Sequence, residues 1–498
     1  MASLPSRARG ERRAAVLIGQ LAGYLCALVC VGSAHPVQAS GFATARFSGE
    51  HATAADGTPG AIYYNPAGLS LLDGQQLMLE GTLAIRSASY DRAPESIDPS
   101  TLDTAQGAGF SRQQAIDALA GEATLDDIVL LPFVGVTSDL GMPTSPLRVG
   151  VAFFVPFGGQ SSWNEEAASD SFPGATDGSG RWYNIEGTIR SMAGALGAAY
   201  RIESARLSFG LAGNLYFSQV NTLRARNADG TDNLVTADGG LLEGRSLLDV
   251  TGVHFGLGAG VLWEPLPDAL WLGASYQSQP GFGTMELSGT LKNTLGGAQP
   301  SPPLDVVFTQ ELPDIVRLGV RTRPWPAVEL RLGADWTRWS QLREMCLANA
   351  DVSDLEQACA TQSDGSLVNS DYTADVAQIF RRRWDDAFGA RVGGSYFFGG
   401  DELELAGGVG FDSNAIPDST LDPSLFDMNK VSFTLGSTYR VNAHVALSLT
   451  LTEVLYLERD TRGTTGNEAL ERPSRQPANA GIYRQNTVLI SPAVQLSL

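Results

Sequence analysis

From residue 75 to residue 498 the chain alternates apolar and polar side chains with a period of two, in runs of about ten residues, and the connections between runs alternate between long and short. Val445, Leu447, Leu449 and Leu451 form one face of a run whose other face is Ala446, Ser448, Thr450 and Thr452. Val431, Phe433, Leu435 and Tyr439 alternate likewise with Ser432, Thr434, Gly436 and Thr438. Fourteen runs can be counted, near 75–89, 128–138, 146–158, 183–202, 205–222, 244–263, 269–290, 305–322, 327–343, 377–398, 401–413, 430–441, 443–458 and 482–498. The odd connections are long: 90–127, 159–182, 223–243, 291–304, 344–376, 414–429 and 459–481. The even ones are short: 139–145, 203–204, 265–268, 323–326, 399–400 and Asn442.

A soluble β-sandwich also alternates, but gives no reason for that parity. An outer-membrane barrel does, with loops at one end, tight turns at the other, and an even strand number returning both ends to the periplasmic side. The last run places Val488, Ile490, Pro492, Val494, Leu496 and Leu498 on one face, an amphipathic terminal strand. The predicted fold class is therefore all-β, a 14-stranded antiparallel transmembrane β-barrel.

Composition excludes other classes. The formal charge of −20 argues against nucleic acid, which requires a concentrated basic face. Beyond residue 39 the histidines are His51, His254 and His444, and neither G-x-S-x-G nor H-E-x-x-H occurs, so no enzyme, metal site or cofactor is predicted. Gly256, Gly258 and Gly260 fall inside a strand run, which argues against a nucleotide loop.

Arg7, Arg9, Arg12 and Arg13, the apolar stretch 14–34 and the A-x-A-like site Val37-Gln38-Ala39 read as an export signal over 1–39, with a retained membrane helix as the alternative. The remaining cysteines, Cys346 and Cys359, suggest one loop disulfide in an oxidising compartment; two free thiols are the other reading. The segment 344–376 around them carries seven carboxylates and no Lys or Arg, the mark of a solvated surface.

Several short stretches, in order, resemble the FadL/TodX-type outer-membrane transporters of long-chain fatty acids and aromatic hydrocarbons. Ser40-Gly41-Phe42 resembles the family's mature N-terminus, and Ile62-Tyr63-Tyr64-Asn65-Pro66-Ala67-Gly68 its hatch signature. Gly273 to Ser278, Leu312-Pro313-Asp314, Asp335 to Ser340, and Phe411 to Ser413 with Ile416 to Asp418 resemble further family segments. The stretch between Phe42 and Asn65 is shorter than the family's, and Asn414-Ala415 replaces an expected proline. The resemblance implies a hatch over 40–73, with Gly41, Phe42, Asn65, Pro66, Ala67 and Gly68, folded inside a barrel over 74–498. An irregular periplasmic tail is the plainer alternative for that segment. It also implies an outer-membrane location and passive uptake of a hydrophobic small molecule, fatty acid or aromatic hydrocarbon, by a monomer surrounded by lipid and lipopolysaccharide. A structural or adhesive barrel is the rival class.

Strand 3 ends Pro156-Phe157-Gly158-Gly159, which removes a ladder donor and weakens strand geometry. By resemblance these residues are a lateral gate; by sequence alone they are an irregular strand end. Alternation on the ninth run sends Leu330, Leu332 and Trp336 to lipid and Glu329, Arg331, Asp335 and Trp339 inward. On the tenth it sends Arg382, Trp384, Phe388, Val392 and Tyr396 outward, with Arg382 near lipopolysaccharide phosphates, and Arg381, Arg383, Asp385 and Arg391 inward. Arg381, Arg383 and Trp339 are the predicted substrate contacts; Arg331 and Arg391 are read as internal ion pairs.

Overall fold

The computed structural model describes residues 47, 49–167, 169–296, 302–464 and 470–498. The predicted export signal and the hatch residues Gly41 and Phe42 lie outside the described residues. In chain order the strands are β1 (Gln75–Arg92), β2 (Gly121–Ser138), β3 (Leu147–Ser162), β4 (Glu186–Ile202), β5 (Leu207–Arg226) and β6 (Gly244–Leu266). Next come β7 (Leu270–Gln277), β8 (Met285–Thr294), β9 (Leu304–Gln310), β10 (Ile315–Trp325), β11 (Val328–Thr337), β12 (Glu344–Asn349) and β13 (Val376–Arg381). The last are β14 (Ala387–Phe398), β15 (Leu403–Asp412), β16 (Lys430–Asn442), β17 (Val445–Tyr456), β18 (Arg459–Asp460) and β19 (Gly481–Ser497).

Antiparallel pairing runs from β1 through β2 to β7, then through β10, β11, β14, β15, β16, β17 and β19 back to β1, a closed ring of fourteen strands. Closure leaves that ring without a free terminal strand, as a lipid environment favours because no water is present to satisfy open backbone groups. Alternation sets the faces. On β17, Leu447, Leu449 and Leu451 are about half exposed toward lipid, while Thr450 and Thr452 are buried toward the lumen. Hydroxyls pair across strands on the inner side, as in Thr434 with Thr452 at 2.7 Å and Ser191 with Ser218 at 2.7 Å. The tight turns share the end at which Leu498 meets Gln75, with Leu498 N donating to Gln75 O at 2.9 Å.

Four strands depart from the expected continuous runs. The runs 269–290, 305–322 and 377–398 each break or stop at one level, and 327–343 ends there too, at Thr337, with β12 starting afresh at Glu344. Chain chemistry explains the breaks: Pro280-Gly281 with Gly281 at φ 76, Leu312-Pro313, a 3-10 turn at Trp339–Gln341, and Arg383 at φ 47. The outer pieces β8, β9, β12 and β13 form a separate extension hung from β6. Asp314 ties the breaks together, accepting from Tyr276 Oη at 2.8 Å, Gln279 N at 2.9 Å and Gln341 Nε2 at 3.1 Å, and pairing with Arg338.

The broken tenth run corrects two orientations. Residues 382–386 are not strand, so alternation fails there. Arg382 is buried and paired with Asp422 rather than reaching lipopolysaccharide, and Trp384 is buried against Trp339 with ring centres 5.0 Å apart. Phe388, Val392 and Tyr396 do face lipid. The acidic segment 344–376 is not merely a solvated loop either: it contains β12, and Cys346 and Cys359 are bonded, their Cα atoms 5.8 Å apart.

Candidate functional site

Residues 49–72 lie inside the barrel, and their local chemistry explains how they stay compact. Asn65 is extended, as a residue before proline should be, and its Oδ1 accepts from Ala67 N at 3.1 Å, capping the 3-10 turn Pro66–Leu71. Asn65 Nδ2 donates to Ala54 O at 2.6 Å and to Val261 O on the wall at 3.0 Å. A side chain at Gly68 would sit 2.3 Å from Asp56 O, so this position tolerates only glycine. Phe47 and Tyr63 then pack against Phe133 and Phe154 of the wall, Phe47 to Phe133 at 4.2 Å and Tyr63 to Phe154 at 5.0 Å between ring centres.

Charges fasten this plug to the wall. Arg391 is surrounded by Glu50 of the plug at 2.8 Å, Asp412 at 2.7 Å and Asp335. Arg331 pairs with Glu329 at 2.6 Å and with Asp56 of the plug at 3.6 Å, and donates to the His51 carbonyl at 3.2 Å. Arg317 stacks on Tyr63, 4.3 Å from its ring centre. These ties are what the plain reading of Arg331 and Arg391 describes.

A cavity lies on each side of the plug. On the tight-turn side, about 300 Å³ is lined by polar and charged groups including His51, Asp56, Arg331, Glu404 and His444. On the loop side, about 170 Å³ has the plug residues Glu50, Ala54, Tyr63 and Tyr64 as its floor. Its walls include Ile315, Trp339, Trp384, Leu425 and Phe426. Four cations line it: Arg86, Arg317, Arg391 and Lys430. Arg391 is paired as above, and Lys430 pairs with Asp427 at 2.9 Å. Among the described residues, Arg86 and Arg317 have no carboxylate oxygen within 4.0 Å. Arg86 instead donates to Gln485 Oε1 at 2.9 Å and the Gln160 carbonyl at 3.0 Å, and its guanidinium lies 5.0 Å from the Phe426 ring centre. The chamber thus joins aromatic and aliphatic walls to a guanidinium hydrogen-bonded to neutral partners.

Of the predicted substrate contacts, the structure brings Trp339 to the cavity and leaves out both arginines. Arg381 is buried behind β12, donating to Ser363 O at 3.0 Å and lying 3.7 Å from Glu344. Arg383 is exposed, at the strand break that alternation does not foresee. Arg86, Trp384 and Phe426 were missed. Arg86 sits at an inward position of β1, between the outward Ile85 and Ser87, and that parity was its only signal.

Strand 3 carries a bulge where its proline predicts one. Register with β4 shifts between Phe154 and Phe157, which turns both rings inward. Pairing of β3 with β2 covers only Val149–Phe153 against Val134–Ser138, so from Phe154 outward no ladder joins the two strands. Gly158, Gly159, Gln160 and Ser161, on the unpaired side, line the loop-side cavity.

A family model described as "Outer membrane protein transport protein (OMPP1/FadL/TodX)" matches residues 33–473. The solved structure of a Pseudomonas aeruginosa FadL homologue is similar at a TM-score of 0.71 and 15% identity, over 92% of this chain and 100% of that one. The P. putida toluene transporter TodX is similar at a TM-score of 0.57 and 16% identity, over 88% and 93%. The Ralstonia pickettii toluene transporter TbuX is similar at 0.58 and 13%, over 90% and 99%. At such identities the likeness to these structures speaks for the fold. A comparison with curated proteins gives no match.

Proposed function

The chain belongs to the OMPP1/FadL/TodX family of outer membrane transport proteins and is thus an outer-membrane transporter of hydrophobic compounds; from that premise we propose that its cargo is a long-chain fatty acid. The observation that supports this reading is Arg86, a cavity guanidinium whose hydrogen bonds go to neutral partners and whose cross-strand neighbour Asp127 stays beyond 4.0 Å, free to take a carboxylate while Trp339, Trp384 and Phe426 hold the chain. No step consumes energy. Cargo binds above the plug and leaves sideways, between β2 and β3, into the bilayer; Pro156, Phe157, Gly158 and Gly159 serve as the lateral gate. Plug rearrangement accompanies release. In this reading residues 1–39 are the export signal, 40–73 the hatch and 74–498 the barrel. The partners are cargo, lipid and lipopolysaccharide, and the barrel works as a monomer.

A second cargo is favoured by a specific observation. A cavity of roughly 150 Å³ holds benzene, and the loop-side cavity, at about 170 Å³, fits a single aromatic ring. A long acyl chain fits only with part of its tail in the unpaired slot beside β3. Uptake of labelled oleate and labelled toluene by cells lacking their own outer-membrane carriers decides between them. Oleate uptake that falls on Arg86→Gln supports the fatty-acid reading. Toluene uptake alone, indifferent to Arg86, moves the cargo to monoaromatics. If an assembled barrel takes up neither, the transport of both cargoes is rejected and the adhesive role is tested instead.

A further inference from the structure

At the loop end of β5, Arg224 and Arg226 share the inward face of the strand, two residues apart. The lipid-facing band of β5, Phe209 to Phe217, has ended below them, so both guanidiniums stand in the cap outside the membrane. Arg224 is buried, lies 5.0 Å from the Phe380 ring centre and donates to Gln378 Oε1 at 3.3 Å. Arg226 donates from Nη2 to the Ala377 carbonyl at 2.6 Å, and its Nη1 is buried with no partner. Neither has a carboxylate oxygen within 4.0 Å among the described residues. The nearby Asp422 is engaged by Arg382.

The surroundings add positive charge. Burial, then Arg226 and Arg382, lower the pKa of Arg224 to about 9, against the opposing pull of Tyr183 and Asp422. Burial and the exposed Arg472 lower Arg226 to about 10. Two desolvated like charges with neutral partners form a costly arrangement that an oxyanion completes, since a carboxylate accepts from two guanidiniums at once. Position says which oxyanion. Thr222, two residues below Arg224 on the same face, lines the loop-side cavity. Gln378, the acceptor of Arg224, is itself tied to the segment 473–475, its Nε2 donating to Pro473 O at 2.7 Å. Lipopolysaccharide phosphates surround the outside of a barrel and do not reach an inward, buried site.

We propose that Arg224 and Arg226 form a head-group site for the carboxylate of an acyl substrate, beyond Thr222 at the loop end of the cavity and before Arg86. The inference rests on the fatty-acid reading. The test is equilibrium binding of labelled dodecanoate, dodecanol and toluene to the purified full chain in non-ionic detergent. Arg224→Gln/Arg226→Gln is expected to weaken dodecanoate about tenfold or more and leave dodecanol unchanged, while the double Lys variant retains most carboxylate binding. Dodecanoate unchanged in the Gln variant, or dodecanol falling equally, overturns the proposal. If heat-modifiable mobility shows that the double variant does not fold, Arg226→Gln alone is judged on the same contrast. Loss of dodecanoate in Arg86→Gln but not in these variants sinks this proposal and spares the fatty-acid reading. Toluene binding with neither dodecyl compound bound sinks both.

Discussion

Alanine at Gly260 and Gly273 should unseat the plug while leaving the barrel assembled. A Cβ at Gly273 would lie 2.0 Å from the Ala54 carbonyl oxygen, and one at Gly260 would lie 1.9 Å from Asn65 Oδ1. Ordinary contact begins at 3.4 Å, so each methyl forces a withdrawal of about 1.4 to 1.5 Å. Neither obstacle is the free end of a flexible side chain. Ala54 O is backbone, and Asn65 is held by three hydrogen bonds, one of them to Ala54 itself. Both clashes therefore act on one node, and their effects should not simply add. Overpacking of this kind costs about 1–3 kcal/mol per site. The strands can escape that cost only by distorting the β6–β7 ladder; the plug escapes it by moving. Gly194→Ala on β4 is the control, because a Cβ there meets nothing within 4 Å. Both cavities share Ala52, Thr53 and Tyr64 in their linings, so a displaced plug joins them into a path for water. Proteoliposome swelling with a small sugar should show a leak in Gly260→Ala/Gly273→Ala and none in Gly194→Ala, with both variants heat-modifiable. If the double variant swells no faster than wild type, close wall contact is not what seats the plug.

Three further expectations are independent of that one. Glu50→Gln removes the plug's carboxylate from Arg391 and should loosen the plug by about 1–3 kcal/mol, read as faster limited proteolysis near residue 50. Cys346→Ser/Cys359→Ser opens a short loop and should lower the stability of the β12–β13 extension by about 3 kcal/mol on the chain-entropy view. External protease should then cut between residues 350 and 375 while the barrel stays intact. Asp314→Ala strips four partners at the aligned strand breaks and should lower the heat-modification midpoint, whereas exposed Asp103→Ala should not.

Period-two alternation together with loop parity was enough to read the ring, because a barrel in lipid must satisfy both along every strand. The strands with uninterrupted alternation, such as β16 and β17, lie close to where the sequence places them. Where alternation was carried through Pro280, Pro313 and Arg383, it failed, since each re-aims the chain and resets the parity that follows. That is why Arg382 and Trp384 changed sides and why Arg383 is outside the cavity. Gly260 and Gly273 read as strand residues; that their missing side chains make room for Asn65 and Ala54 depends on which strands meet the plug. Arg224 and Arg226 were legible as inward residues only; their lack of acidic partners is a fact of tertiary placement.

The most direct test of lateral release is oleate uptake in cells lacking their own carrier, comparing wild type with Gly158→Val/Gly159→Val at equal levels of assembled barrel. At Gly158 an added Cβ meets nothing closer than 3.6 Å, so a side chain there does not force β3 away from β4. The account predicts that most uptake is lost while dodecanoate binding persists. Undiminished uptake in the variant would contradict it and send the cargo through the plug instead.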